Sequence, residues 1–169
     1  MISAIVAVDN NWGIGYNGKL LAHIPEDLKR FKKLTTGNIV VMGRKTWNSL
    51  PVNPLPNRTN IIITKNPIYF TTINGAFRQG LEYTVKEMTD MKNDFEWFVI
   101  GGGQIYKELL PYCDRVYVTK IFKDYPNVDT YFPNLDEMND WASAACSSIH
   151  DYKDLTYQFW QYDRINWFF

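Results

Sequence analysis

Apolar positions along this chain fall into two alternating patterns. Ile2-Ser3-Ala4-Ile5-Val6-Ala7-Val8 is an almost continuous apolar run rich in β-branched residues, the pattern of a central strand buried on both faces. Comparable runs at 39–42, 60–64, 95–100 and 114–121 predict further strands, and helix-like segments at 26–34, 44–49, 86–92 and 104–110 alternate with them. With no internal repeat or low-complexity linker, this order predicts one α/β domain over residues 1–169, three-layered and doubly wound. Around Trp141 to Cys146 and Leu155 to Arg164, aromatic residues and alternation predict two paired strands closing one edge of a mixed, mostly parallel sheet. From Asn66 to Glu82 no period is sustained, although Asn74-Gly75 and Gln79-Gly80 mark turns.

Charge and cysteines narrow the function classes. Eighteen basic residues balance eighteen acidic ones, so neither nucleic acid nor an anionic membrane is an expected partner, and a small-molecule ligand fits better. Cys113 and Cys146 are far apart, with no C-x-x-C pair and no metal-type spacing; reduced thiols and no metal site are expected. The N-terminal apolar run is too short to span a bilayer and lacks a basic flank, so it reads as a strand in a cytoplasmic protein.

The first candidate chemistry lies in Ile24-Pro25-Glu26-Asp27-Leu28-Lys29-Arg30-Phe31. Helix-forming residues follow Pro25; Leu28 and Phe31 share one face, while Lys29, Arg30, Lys32 and Lys33 fall largely on the other. Asp27 therefore occupies the first turn beside the apolar stripe. Taken alone it only complements the helix dipole. Its context is a buried strand, then Asp9 to Lys19 with three glycines in six residues, which reads as a flexible loop, then the helix. Open α/β sheets bind ligands at such strand ends, so Asp27 is expected to face a crevice.

Two glycine motifs resemble phosphate sites without matching them. Gly13-x-x-x-x-Gly18-Lys19 continues into Leu20 instead of a magnesium-holding hydroxyl, and helix formation waits until Pro25. Gly101-Gly102-Gly103 follows a strand and opens a helix, but Tyr106 stands in place of the third glycine of a Rossmann fingerprint. One glycine would satisfy a tight turn; three predict close approach of backbone to an anion at a helix N-terminus. Gly43-Arg44-Lys45-Thr46 repeats the arrangement at a second strand end. Arg44 and Lys45 are either solvated charges or part of that second site. Arg58 in Leu55-Pro56-Asn57-Arg58 is on chemistry alone equally a surface residue or a carboxylate anchor.

These blocks, together with Thr59 to Thr64, Val99-Ile100 and Asp129-Thr130-Tyr131-Phe132-Pro133, stand in the order of the dihydrofolate reductase family, which the chain resembles almost to its C-terminus. The resemblance implies NADPH-dependent reduction of dihydrofolate. It implies that Asp27 binds the pterin with Thr119, that Ile5, Leu28, Phe31, Leu50, Leu55 and Ile100 wall the substrate, and that Arg58, assisted by Lys32, holds its glutamate tail. For NADPH it implies Ala7, Ile14, Gly15, Gly18 and Leu20 from the first strand and loop, with Leu20 also placed at the reaction. It further implies Gly43, Arg44, Lys45, Thr46, Thr64, Lys65, Ile100, Gly101, Gly102, Gly103, Gln104, Ile105, Tyr106 and Thr130. Arg44, Lys45, Thr64 and Lys65 would face the 2′-phosphate, Thr46 the pyrophosphate, and a cis peptide would join Gly101 to Gly102.

Three departures from the family pattern stand out. Gln104 occupies the place of a frequent arginine, and Leu21-Ala22 replaces a usual Pro-Trp pair. Without that indole, more water around Asp27, a less raised pKa and a looser loop are expected. Ile165 to Phe169 extends past the usual family end; a monomer is expected, with dimerisation through this aromatic tail as the alternative. Two other functions compete: a pyrimidine reductase of riboflavin synthesis, which needs no acid paired with an arginine, and a non-catalytic folate- or nucleotide-binding module.

Overall fold

The computed structural model describes residues 1–65, 72–91 and 95–165. In chain order the elements are β1 (Ile2–Val8), β2 (Gly13–Tyr16), β3 (Lys19–Leu20), α1 (Pro25–Thr35), β4 (Ile39–Gly43), α2 (Arg44–Ser49), β5 (Thr59–Ile63), β6 (Thr72–Ile73) and β7 (Ala76–Gln79). They continue as α3 (Leu81–Asp90), β8 (Trp97–Gly101), α4 (Gly103–Leu109), β9 (Arg115–Ile121), β10 (Thr130–Tyr131), β11 (Trp141–Tyr152) and β12 (Leu155–Arg164). The main sheet has the order β11-β12-β9-β1-β8-β4-β5-β7-β6. From β9 to β7 every pairing is parallel, and the two edges are antiparallel. The mixed, mostly parallel α/β sheet expected from the sequence is therefore present.

Strand alternation sorts the core into two layers. Ala4, Val6, Val41, Ile61, Val99, Val116 and Val118 pack on one face with Met88 of α3 and Leu109 of α4. Ile5, Val40, Met42, Ile62 and Phe98 point the other way, against Trp47 of α2 and Phe31 and Leu34 of α1. Because successive strand residues face opposite sides, β-branched residues at nearly every position serve both layers. At the C-terminal edge, Arg164 ties β12 back to the body by donating to the Cys113 and Leu110 carbonyls at 2.8 and 2.6 Å.

Two expectations are corrected. The glycine-bearing segment after β1 is not an open loop: β2 and β3 form a hairpin joined by Asn17-Gly18, both at positive φ, and β10 completes a three-stranded sheet. An Asn-Gly pair suits that turn because both residues tolerate the left-handed region. The Asp9 carboxylate, accepting from Asn11 and Gly13 N–H at 2.9 and 2.8 Å, fixes how the chain leaves β1. The helix expected at 86–92 instead begins at Leu81, directly after the Gln79-Gly80 turn. Leu81, Val85 and Met88 form its inward stripe, and Thr84 Oγ1 donates to the Gly80 carbonyl at 2.9 Å. Before it, β7 pairs parallel with β5, a strand too short to show a period in sequence.

Cys113 is buried, with its thiol pushed up to about 12 by burial, and Cys146 is exposed; neither is in a disulfide. Among the described residues there is no metal-ligand cluster, and no helix is long and apolar enough to cross a membrane. Of the C-terminal extension, Ile165 donates its N–H to the Asp140 carbonyl at 2.9 Å. Residues 166–169, on which the expected tail contacts depend, lie outside the described residues.

Candidate active site

Asp27, in the first turn of α1, meets the C-terminal part of β9, where Thr119 pairs with Ala7 of β1. Pro25 begins the helix, where a missing N–H costs nothing, and Ile24, only 3% exposed, buries its lead-in against Ile121 and Tyr157. Thr119 of β9 donates its hydroxyl to Asp27 Oδ1 at 2.5 Å. Burial pushes the Asp27 carboxyl up, while the Thr119 hydrogen bond and the Arg30 charge pull it down. Glu26, one residue earlier, is exposed and pairs with Lys29 at 3.1 Å. The two adjacent carboxylates thus have opposite environments.

Beside Asp27 lies an apolar wall. Ile5, Phe31, Leu50, Leu55 and Ile100, the residues expected to wall a substrate, all belong to one cluster. Leu28 differs: it is 42% exposed and belongs to none of the buried clusters. Arg58 continues the wall, its Cζ 5.8 Å from the Phe31 ring centre. Its Nε donates to the Pro56 carbonyl at 2.9 Å and Nη1 to Thr35 Oγ1 at 3.0 Å. Those bonds fix the guanidinium plane, and Nη2 has no hydrogen-bond partner among the described residues. Lys32 is exposed on the same helix.

Sequence reasoning missed the residue that shapes this loop. Asn60 is fully buried; it accepts from Leu55 N–H at 2.9 Å and donates to the Leu55 and Arg58 carbonyls at 3.0 and 3.1 Å. A polar residue opening an apolar strand run was the available signal. Arg30 was also misplaced on the solvent side. Its guanidinium lies over the rings of Phe159 and Tyr117, 4.6 and 5.3 Å from their centres, and the i,i+3 spacing from Asp27 was the clue.

Glycines shape the ends of β4 and β8 where α2 and α4 begin. Gly101–Gly102 is a cis peptide, as the resemblance implies, and Gly101 has φ +124°. A Cβ on Gly101 or Gly102 would lie 3.5 or 3.4 Å from Thr46 Oγ1, and one on Gly43 would lie 3.0 Å from Ile105 Cγ1. The two glycine turns and Thr46 therefore meet at one place, and neither α2 nor α4 has a side-chain cap on its first N–H groups. Tyr106 is buried and donates its hydroxyl to the Ile5 carbonyl at 2.7 Å, joining α4 to β1; burial, then the Asp27 charge, raises its pKa.

Arg44, Lys45 and Lys65 are exposed and Thr64 is half-buried, its N–H donating to the Gln79 carbonyl at 2.9 Å. Gln104 donates to Glu108 Oε1 at 2.9 Å. Ile14 is buried, Gly15 half-buried and Gly18 exposed in the hairpin; Ala7 packs against the Ile24 cluster. Leu20 is 76% exposed on β3, where it pairs with Gly15 of β2. Ala22 packs against that same Ile24 cluster, and His23 is exposed. A separate hollow of about 210 Å³, lined by Ile39, Ile61, Phe77 and Trp97 among others, lies at the opposite strand ends and shares no residue with this site.

Gly103 supplies a direct test of the glycine turn. A Cβ there would lie 2.5 Å from Thr130 Cγ2, so Gly103→Ala should lower unfolding free energy by about 1–3 kcal/mol, read from urea midpoints. Adding Thr130→Ser removes that methyl and keeps the hydroxyl that donates to Asp129 at 2.8 Å. The double variant should recover most of the loss.

An α/β sheet that carries two glycine turns meeting at Thr46, a buried acid and an arginine beside an apolar wall has the chemistry of an enzyme acting on a small molecule with a nucleotide. A family model described as dihydrofolate reductase matches residues 1–164, and the chain belongs to the dihydrofolate reductase family. It is 40% identical to a dihydrofolate reductase of Bacillus subtilis, covering 98% of this chain and 96% of that one. It is 32% identical to the Sus scrofa enzyme, with 98% of each covered. A solved structure, dihydrofolate reductase from Enterococcus faecalis complexed with NADP(H) and RAB-propyl, superposes with TM-score 0.84 at 34% identity, over 98% of this chain and 97% of that one.

Proposed function

We propose that this chain reduces 7,8-dihydrofolate to 5,6,7,8-tetrahydrofolate with NADPH, as a cytoplasmic enzyme whose substrate is held between α1 and the ends of β1, β8 and β9. The observation that carries this reading is the Asp27 carboxyl, raised by burial and held by Thr119 at 2.5 Å beside the Phe31 wall that also seats Arg58. A pterin offers a ring N–H and an amino group to one carboxylate, and its glutamate tail offers a carboxylate to one guanidinium. No acid-plus-arginine pair is needed for a ribosylated pyrimidine.

The cofactor reading rests on the glycine turns. Gly43 and Gly101 to Gly103 let the backbone come close to a pyrophosphate, uncapped N–H groups of α2 and α4 face it, and Thr46 Oγ1 lies beside both turns. Arg44 and Lys45, with Thr64 and Lys65, would take the 2′-phosphate, and Gln104 would contribute a neutral amide. Ala7, Ile14, Gly15, Gly18, Leu20, Ile105 and Thr130 would complete the lining. Bound there, reduced nicotinamide supplies the hydride, which C6 of dihydrofolate accepts.

This chain's residues then have three tasks. Ile5 and Ile100 hold the reacting end through their carbonyls, and Tyr106 keeps Ile5 in place through its 2.7 Å hydrogen bond. Asp27 binds the pterin's N3 and 2-amino group and raises the ring's proton affinity, while a water carries the proton to N5. Leu50, Leu55, Leu28 and Phe31 keep that end apolar, and Arg58 with Lys32 fixes the tail.

The test is oxidation of NADPH by the purified chain with and without dihydrofolate. Substrate-dependent loss of reduced-nicotinamide absorbance is expected. Binding of both ligands without turnover would favour a binding module, and turnover only with a riboflavin-pathway pyrimidine would favour the rival reductase. For the cofactor, Arg44→Ala with Lys45→Ala should cut the preference for NADPH over NADH by at least about tenfold through loss of charge-assisted contacts. Unchanged kcat/KM ratios for the two cofactors would place the 2′-phosphate elsewhere.

A further inference from the structure

We infer that Arg30 is a positioning residue for the reaction: held on the rings of Tyr117 and Phe159, it sets the protonation balance of the acid that binds the pterin. The inference rests on the reading of Asp27 given above. Asp27 and Arg30 are three apart on α1, which puts both on the same helix face. That face meets β9 and β12. Tyr117 and Thr119 alternate with the oppositely facing Val116 and Val118 on β9, and Phe159 is the cross-strand partner of Thr119. The surface under α1 therefore presents Thr119 to Asp27 and two rings to Arg30, side by side.

The stacking distances, 4.6 Å to Phe159 and 5.3 Å to Tyr117, are those of cation–π contact, which a planar guanidinium makes well. The rings hold the cation in place without neutralising it. Among the described residues no ion pair joins Arg30 to Asp27, so the carboxyl oxygens are not occupied by the guanidinium and stay available to a ligand. The charge acts across the gap. The attraction is felt by both partners: the Arg30 charge pulls the Asp27 carboxyl down, and Asp27 opposes the lowering of Arg30 by burial. Arginine remains protonated through such shifts.

The other groups around Asp27 are few. Glu26 on α1 is turned to Lys29. From β12, Tyr157 feels both Glu26 and Asp27, and from α4, Tyr106 is tied to the Ile5 carbonyl. His150 of β11 stacks on Tyr157 and lies tilted against Phe159, 5.4 and 5.5 Å between centres. Arg30 is the cation with the direct effect.

The experiment is single-turnover hydride transfer across a range of pH for the parent, Arg30→Met and Arg30→Lys. Loss of the cation favours the protonated pterin–acid unit, which titrates as one system. Arg30→Met should move the profile to higher pH and speed hydride transfer on its alkaline limb by about threefold to tenfold; Arg30→Lys should stay within about twofold of the parent. If Arg30→Met does not fold, Arg30→Gln keeps length and polarity without charge. In an Asp27→Asn background the shift should vanish. Coincident profiles for parent and Arg30→Met, or equal shifts in Arg30→Met and Arg30→Lys, would overturn the inference. An Asp27→Asn variant with parental rate and profile would instead overturn the role of Asp27 itself.

Discussion

Asp27→Asn should lower turnover at neutral pH by about two to four orders of magnitude, the usual weight of general acid–base assistance. The amide still accepts the Thr119 hydrogen bond and fills the same volume, but it cannot favour a protonated pterin. Lowering the pH should restore part of the rate, because solvent then supplies the proton that the carboxylate no longer encourages. NADPH affinity should hold, since the glycine turns lie at the ends of β4 and β8 and not on α1. Stability should move the opposite way. The folded pKa of Asp27 is raised by burial, so its contribution is fully present below the unfolded value and is lost as pH rises through the folded one. At neutral pH the parent carries a desolvated carboxylate that the amide avoids. Asp27→Asn should therefore melt at or above the parent temperature at neutral pH and lose that advantage in acid. A variant with parental single-turnover rates at neutral pH would remove Asp27 from the mechanism.

Arg58→Leu should weaken dihydrofolate binding by about 2–5 kcal/mol, a loss of about 30-fold to a few thousandfold in affinity. A pterin lacking the glutamate tail should bind almost as before. The loop should survive the change: Asn60 still holds Leu55 and residue 58 through backbone groups, and Thr35 keeps its own donation to the Phe31 carbonyl at 2.8 Å. Titration calorimetry with both ligands distinguishes the roles. Equal losses for the two would show that Arg58 supports the loop and does not anchor the tail.

Much of this architecture is legible along the chain because the physics that records it is local. β1, β4, β5, β8 and β9 lie within a few residues of their expected positions since strands buried on both faces must be continuously apolar. The start of α1 is written in Pro25 and the first-turn acids. The glycine turns were readable because three successive glycines have few uses other than close backbone approach. Where a strand was too short for its alternation to stand out, reading failed: β7 spans four residues, β3 and β10 two each. The hairpin of β2 and β3 was hidden because its glycines suggest freedom, while Asp9 and Asp129, which restrain it at 2.8 Å each, act through the fold.

The chain by itself determined which residues are chemically able to serve: two acids in a first helical turn, one arginine among prolines, glycines at two strand ends, and the family order that links them. Only the tertiary structure decided which of them meet. It brought Thr119, ninety-two positions away, onto Asp27, placed Tyr106 on Ile5, and moved Arg30 from the solvent-facing side to a seat on two aromatic rings. A helical period specifies an angle around an axis and does not say what lies opposite. That is set by sheet order and register, which bring β9 beside β1 and Phe159 beside Thr119, and those pairings depend on contacts too far apart in sequence for any local pattern to carry.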